Sequence, residues 1–141
     1  MEARDTYRLV EAFDYADIYL VEHQPVLVVE ATSTYIPIAE FKEIFTKAVA
    51  VVQVNNVQKI VFDKRTLEVF HQPSMEWYFS IWKEELLDHG VKMHRKLLPS
   101  DFSFRQSVKI GRMRIDEKYD NLRTHEMDIQ YVESIAEAIA R

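Results

Sequence analysis

The stretch KIVFD-KRTLEVFHQ-PSMEWYFSIWKEELLDH-G-VKMHRKLL, residues 59–98, decides the fold. It reads as strand, loop, helix, stop and strand, a βαβ unit. Ile60, Val61 and Phe62 form an apolar run without alternation, the pattern of a strand buried on both faces at the centre of a parallel sheet. Asp63, Lys64 and Arg65 then put charges at its carboxyl end. Pro73 suits the first turn of a helix, where its missing N–H costs nothing. Met75, Trp77, Tyr78, Phe79, Ile81, Trp82, Leu86 and Leu87 make that helix apolar around much of its girth, more than a single buried face requires. Gly90 fits the left-handed position after the last turn. In the next strand Val91, Met93 and Leu97 are apolar at alternate positions. Lys92, His94, Arg95 and Lys96 between them predict a partly solvated strand near an edge of the sheet.

The flanking chain extends this unit. ADIYLV (residues 16–21) and VLVVEA (26–31) are β-branched and aromatic, and the short EHQP spacer predicts an antiparallel hairpin. Residues 1–15 read as an extension or an edge strand. Pro37 opens a helix in which Ile38, Phe41, Phe45, Ala48 and Val52 recur at three- and four-residue steps, and Asn55-Asn56 ends it. Ser100 or Asp101 caps a short helix to about Ile110, with Gly111 as its stop. Residues 112–125 are mostly charged and read as loop. Met127, Ile129 and Tyr131 alternate as a last strand, and Ser134 with Glu137 forms a capping box for a final helix. The expected fold is a single α/β domain: a mixed sheet with parallel core strands and helical crossovers.

Composition excludes several function classes. A chain of 141 residues is one domain by size. Its formal charge of −5 argues against general nucleic-acid binding. It has no cysteine, hence no disulfide, thiolate nucleophile or cysteine metal site. Only two glycines occur, so GxGxxG, P-loop and GxSxG motifs are absent. No stretch resembles a signal peptide or a membrane span, and a cytoplasmic location is expected by elimination. His23, His71, His89, His94 and His125 are scattered without metal-ligand spacing, and neither a metal nor a cofactor is expected.

Several strings resemble the STAS-like (SpoIIAA-like) family and its bacterial STAS/SEC14-like domains. They are Phe41-Lys42-Glu43, Ile60-Val61-Phe62-Asp63, Pro73-Ser74-Met75-Glu76-Trp77, Gly90-Val91-Lys92, Asp101-Phe102-Ser103 and Tyr131 with Glu137-Ala138. The likeness covers residues 16–141. It implies a non-enzymatic regulatory module that works by protein contacts, as a homodimer or with a partner protein. Some members switch by phosphorylation at the start of the second helix, and the corresponding residue is Ser74. The family's serine pair followed by glycine is replaced here by Gln72-Pro73-Ser74-Met75.

Three sets of residues are candidates for function. Ser74 lies where helix N–H groups favour an anion, as a phosphoacceptor would. Asp63, Lys64, Arg65 and His71 surround the carboxyl end of the central strand, where open α/β sheets bind ligands or partners. Asp63 orienting His71 would be a general-base pair. Trp77, Tyr78 and Trp82 offer a contact surface on the aromatic helix. A basic stretch, Lys92, Arg95, Lys96, Arg105, Lys109, Arg112 and Arg114, runs through the following segment. The alternative function is a small-molecule or lipid-binding domain. An apolar cleft beside Trp77 and Trp82 would take the ligand body, and Lys64, Arg65 or the basic stretch its acidic head.

Overall fold

The IVF run sits inside a six-stranded sheet in the computed structural model, which describes residues 6–141. The strands are β1 (Tyr7–Ala12), β2 (Ala16–Val21), β3 (Val26–Ala31), β4 (Lys59–Asp63), β5 (Met93–Leu97) and β6 (Asp128–Tyr131), paired in that order. β1, β2 and β3 form an antiparallel meander, and β3 to β6 are parallel. The hairpin and the parallel core agree with the sequence reading. The described part of residues 1–15 is the edge strand β1, and residues 1–5 lie outside the described residues.

The crossovers are α1 (Ile38–Asn55), then a continuous helix made of α2 (Gln72–Trp77), a π turn (Tyr78–Trp82) and α3 (Lys83–Asp88), then α4 (Phe102–Lys118). Right-handed crossovers between strands added in one direction put these helices on the same face. The larger core lies there: Ile18, Leu27, Val29, Ile60 and Phe62 of the sheet pack against Phe41, Phe45, Tyr78, Phe79, Trp82, Phe104 and Val108. The short α5 (Ile135–Ala140) covers the other face over Val28, Val61 and Leu97. Ser134 caps it as the sequence pattern requires, its hydroxyl accepting from Glu137 N–H. Two cations hold its carboxyl end. Lys59 Nζ donates to the carbonyls of Ala138 and Ile139 at 3.0 and 2.7 Å, and Arg95 Nη2 to the backbone oxygen of Arg141 at 2.7 Å. Positive charge on free helix carbonyls is favourable in both charge and hydrogen bonding.

Two expectations are corrected. β5 lies next to the edge strand, as expected, but it is not partly solvated. It lies between β4 and β6, and His94, Arg95 and Lys96 are all fully buried. Helix α4 does not stop at Gly111 but runs to Lys118, so residues 112–118 are helical. Val108, Gly111 and Ile115 continue one buried stripe past the glycine, and Lys118 pairs with Glu76 at 2.7 Å. Gly111 serves a close approach instead. A Cβ there would stand 2.6 Å from Gln72 Oε1, 2.8 Å from Phe70 Cζ and 2.9 Å from Met75 Sδ. The other punctuation is as read: Gly90 has φ +79°, Asn56 has φ +51°, and Asp101 caps α4 by accepting from Phe104 N–H. Pro37 stands one residue before α1.

Candidate functional site

Strand alternation decides which charges at the end of β4 meet the helices. Phe62 and Lys64 face the large core. Lys59, Val61 and Asp63 face the α5 side. Asp63 is 4% exposed and accepts from Arg65, Nε at 3.0 Å and Nη2 at 2.8 Å. His71 turns to Ser74, with Nδ1 2.9 Å from the hydroxyl. The Asp63–His71 pair considered from the sequence is therefore not assembled. Ser74 is 5% exposed, its hydroxyl engaged with His71.

A half-open cleft of about 50 Å³ lies at the carboxyl ends of β4 and β5. Tyr35, Val69 and His71 line it together with the more deeply placed Phe62, Met75, Phe79 and Phe104. Of the residues singled out at this strand end, Lys64, His71 and Ser74 line this cleft and Asp63 and Arg65 do not. Of the aromatic trio, Tyr78 and Trp82 are 2% and 1% exposed, so they belong to the core and only Trp77 is left partly open. Trp82 donates its indole N–H to the Phe45 carbonyl at 2.6 Å, and its ring stacks on Tyr78 with centroids 4.7 Å apart.

Beneath the cleft lies a group of buried cations. Lys96 on β5 lines it and is fully buried; Lys83, the first residue of α3, is fully buried beside it. Both amines lie over the Phe79 ring, at 4.6 and 3.9 Å from its centroid, and both are 5.2 Å from the Tyr78 centroid. The π turn produces this arrangement. Its extra residue per turn puts Tyr78, Phe79, Trp82 and Lys83 all on the inner side of the helix. Neither Lys83 Nζ nor Lys96 Nζ has a hydrogen-bond acceptor among the described residues. The ring faces offset part of the cost through their quadrupoles, roughly 1–2 kcal/mol each.

Burial and like charge push the whole group toward neutrality. Lys64 is lowered to about 8, first by burial and then by Arg112. Lys96 is held well below the usual lysine range by burial and then by the charges of Lys83, Lys64 and Arg112. Lys83 is lowered likewise, chiefly by burial, while its contact with Lys96 favours its own proton. Both amines of the pair are thus pushed toward the neutral form. His94, fully buried on the same strand face as Lys96, is held neutral by burial and by Lys83, Lys96, Lys64 and Arg95. It shares a 2.7 Å hydrogen bond with Tyr78 through Nε2. The charges acting on the three lysines are all cationic.

Sequence reasoning singled out Lys64 but missed Lys83 and saw Lys96 only as part of a solvated basic stretch. A signal was present. Lys83 falls in the inward series Tyr78, Phe79, Trp82, Lys83, Leu86, and Lys96 alternates in step with His94. Of the basic stretch, Arg95 and Lys96 are buried, on opposite faces of the sheet; Arg112 lies over Phe79 at 4.7 Å, and Lys92, Lys109 and Arg114 are exposed. No group of metal ligands occurs among the described residues, and no helix there is long and apolar enough to cross a membrane. No family model matches the chain, and no curated protein matches it in sequence.

Proposed function

We propose that the domain binds a small organic acid, its apolar body against Phe62, Phe79 and Phe104 and its anionic end toward Lys64 and the Lys83–Lys96 pair. One observation carries this reading: a fully buried lysine, Lys96, lines an apolar cleft with no acceptor for its amine. Burying an amine without an acceptor costs free energy, most of all as an ammonium, and an anion seated beside Lys64 and the Lys83–Lys96 pair would favour the charged form and supply the missing acceptor. The location agrees with the general placement of ligands at the carboxyl ends of parallel strands. At about 50 Å³ the cleft is far below the roughly 300–1,000 Å³ of an enclosing ligand pocket, so it excludes an acyl chain and would leave part of even a small acid in its open mouth. The ligand-binding side of the STAS/SEC14-like resemblance is the part this reading develops, and it requires no catalysis. Calorimetry with 3-methylbutanoate is expected to show saturable binding that weakens as pH rises past about 8, as Lys64 deprotonates. Lys64→Met is expected to weaken it at least about 10-fold, since a charge-assisted hydrogen bond contributes roughly 1.5–3 kcal/mol. Equal affinity for the uncharged amide would overturn the reading.

Regulatory contact between proteins has a separate support, on α4 and not on the aromatic helix. Phe102, Ile110 and Met113 are 72%, 47% and 55% exposed along one side of α4, opposite its buried Phe104, Val108 and Ile115. Charges of both signs flank this stripe, Arg105, Lys109 and Arg114 with Asp116 and Glu117. One apolar stripe facing its own copy is the self-complementary patch of an isologous two-fold pair. A homodimer is the occupant we infer. Light scattering is expected to give a dimer mass that Phe102→Ser with Met113→Ser reduces to monomer. A monomeric parent at high micromolar concentration would exclude this interface.

A further inference from the structure

We propose that Lys96 is a nucleophilic amine that condenses with the carbonyl of a small 2-oxo acid bound in the cleft, forming a reversible imine with Lys83 as proton donor. The inference rests on the acid-binding reading and names the substrate class of that site. The cleft brings together the three things such a capture needs. Lys64, nearest the solvent of the three lysines, is the partner for a carboxylate. Lys96 lines the same cleft, fully buried, its amine over an aromatic face and without an acceptor. Lys83 lies over the same Phe79 ring as Lys96 and is the second amine within reach of the reacting carbonyl. An amine is nucleophilic only when neutral, and an apolar setting beside a second cation favours that state.

A neutral Lys96 is a poor partner for a carboxylate but a good one for a carbonyl carbon, which favours a carbonyl acid over a simple one. The nitrogen lone pair forms a C–N bond while the C=O π pair moves to oxygen, which takes a proton from Lys83. The nitrogen releases a proton, which returns to Lys83. A second proton from Lys83 lets the hydroxyl leave as water as the C=N bond forms, and the last N–H proton of Lys96 restores the Lys83 ammonium. One C=O becomes one C=N, one water leaves, and no electrons are gained or lost. The surrounding rings limit the access of water that would hydrolyse the imine.

The test is reductive trapping. The protein is incubated with 3-methyl-2-oxobutanoate and sodium cyanoborohydride near neutral pH, and the adduct is located by intact and peptide mass spectrometry. The expected result is a single adduct on Lys96, absent from Lys96→Met and formed about 100-fold more slowly by Lys83→Met, in line with the loss of a general acid. Binding of 3-methylbutanoate, which has no carbonyl to react, is measured alongside on the parent. If that acid binds but the oxo acid gives no adduct, or gives adducts spread over surface lysines equally in Lys96→Met, the imine is excluded and the acid-binding reading stands. If neither acid binds, both fall. Circular dichroism of each variant reports its folding independently of the trapping readout.

Discussion

Unfolding free energy is expected to rise by at least about 3 kcal/mol between about pH 7 and about pH 10, against the usual flat or falling alkaline profile. Lys64 changes from 10.5 in the unfolded chain to about 8 in the folded one. Between those values the unfolded state binds more protons, so stability climbs with pH at about 1.4 kcal/mol per unit for one proton. Below the folded value both states carry the charge and the full burial penalty remains. Lys83 and Lys96, also lowered, contribute in windows that begin lower and end at the same unfolded value. His94 adds a rise that ends at 6.5, where the unfolded imidazole loses its proton. Tyr78 acts in the opposite sense above 10.0, because its buried phenol resists ionisation while the unfolded one does not. The maximum therefore lies near pH 10. Urea unfolding followed by tryptophan fluorescence, with Trp82 in the core, measures the curve directly. A flat profile between neutral and alkaline pH would mean that the lysines are solvated or paired with acids.

Lys96→Met is expected to stabilise the protein at neutral pH, by about 1–4 kcal/mol, while abolishing capture of an oxo acid. Methionine keeps an unbranched chain over the Phe79 and Tyr78 rings, where a thioether packs well. It removes an amine whose burial costs free energy and which has no acceptor. The pH slope should flatten as well, since one of the shifted groups is gone. Equilibrium unfolding of parent and variant at about pH 7 and about pH 9 checks both parts. A loss of more than about 1 kcal/mol would show that Lys96 is held by a favourable contact in the folded state. A gain would mean that the lysine is retained at a cost to stability, as expected of a group kept for binding or reaction.

Much of the fold was legible because periodicity reports burial. The non-alternating Ile60-Val61-Phe62 run located the central strand, and Gly90, Asn56 and Ser134 marked real helix boundaries. The same logic failed where a polar residue was buried. His94, Arg95 and Lys96 made β5 look solvated, yet the terminal nitrogens of Arg95 donate to Asp128 and Arg141 and Lys96 rests on aromatic rings. Gly111 resembled a helix stop because a close approach to Phe70, Met75 and Gln72 leaves no trace in local sequence.

The sequence by itself determined the element order, the parallel centre and the exclusion of cysteine chemistry and glycine-rich phosphate loops, because these depend on residue type and local spacing. Tertiary structure alone decided that Lys64 and Lys96 line one cleft with Lys83 buried beneath it. They come from the end of β4, the turn of helix after a π bulge and the inner side of β5, and no local pattern links them. Their chemistry follows from that placement. An amine far from other cations and bathed in water is an ordinary ammonium; these three, buried among aromatic rings and beside Arg112, hold their protons less tightly, burial being the largest cause.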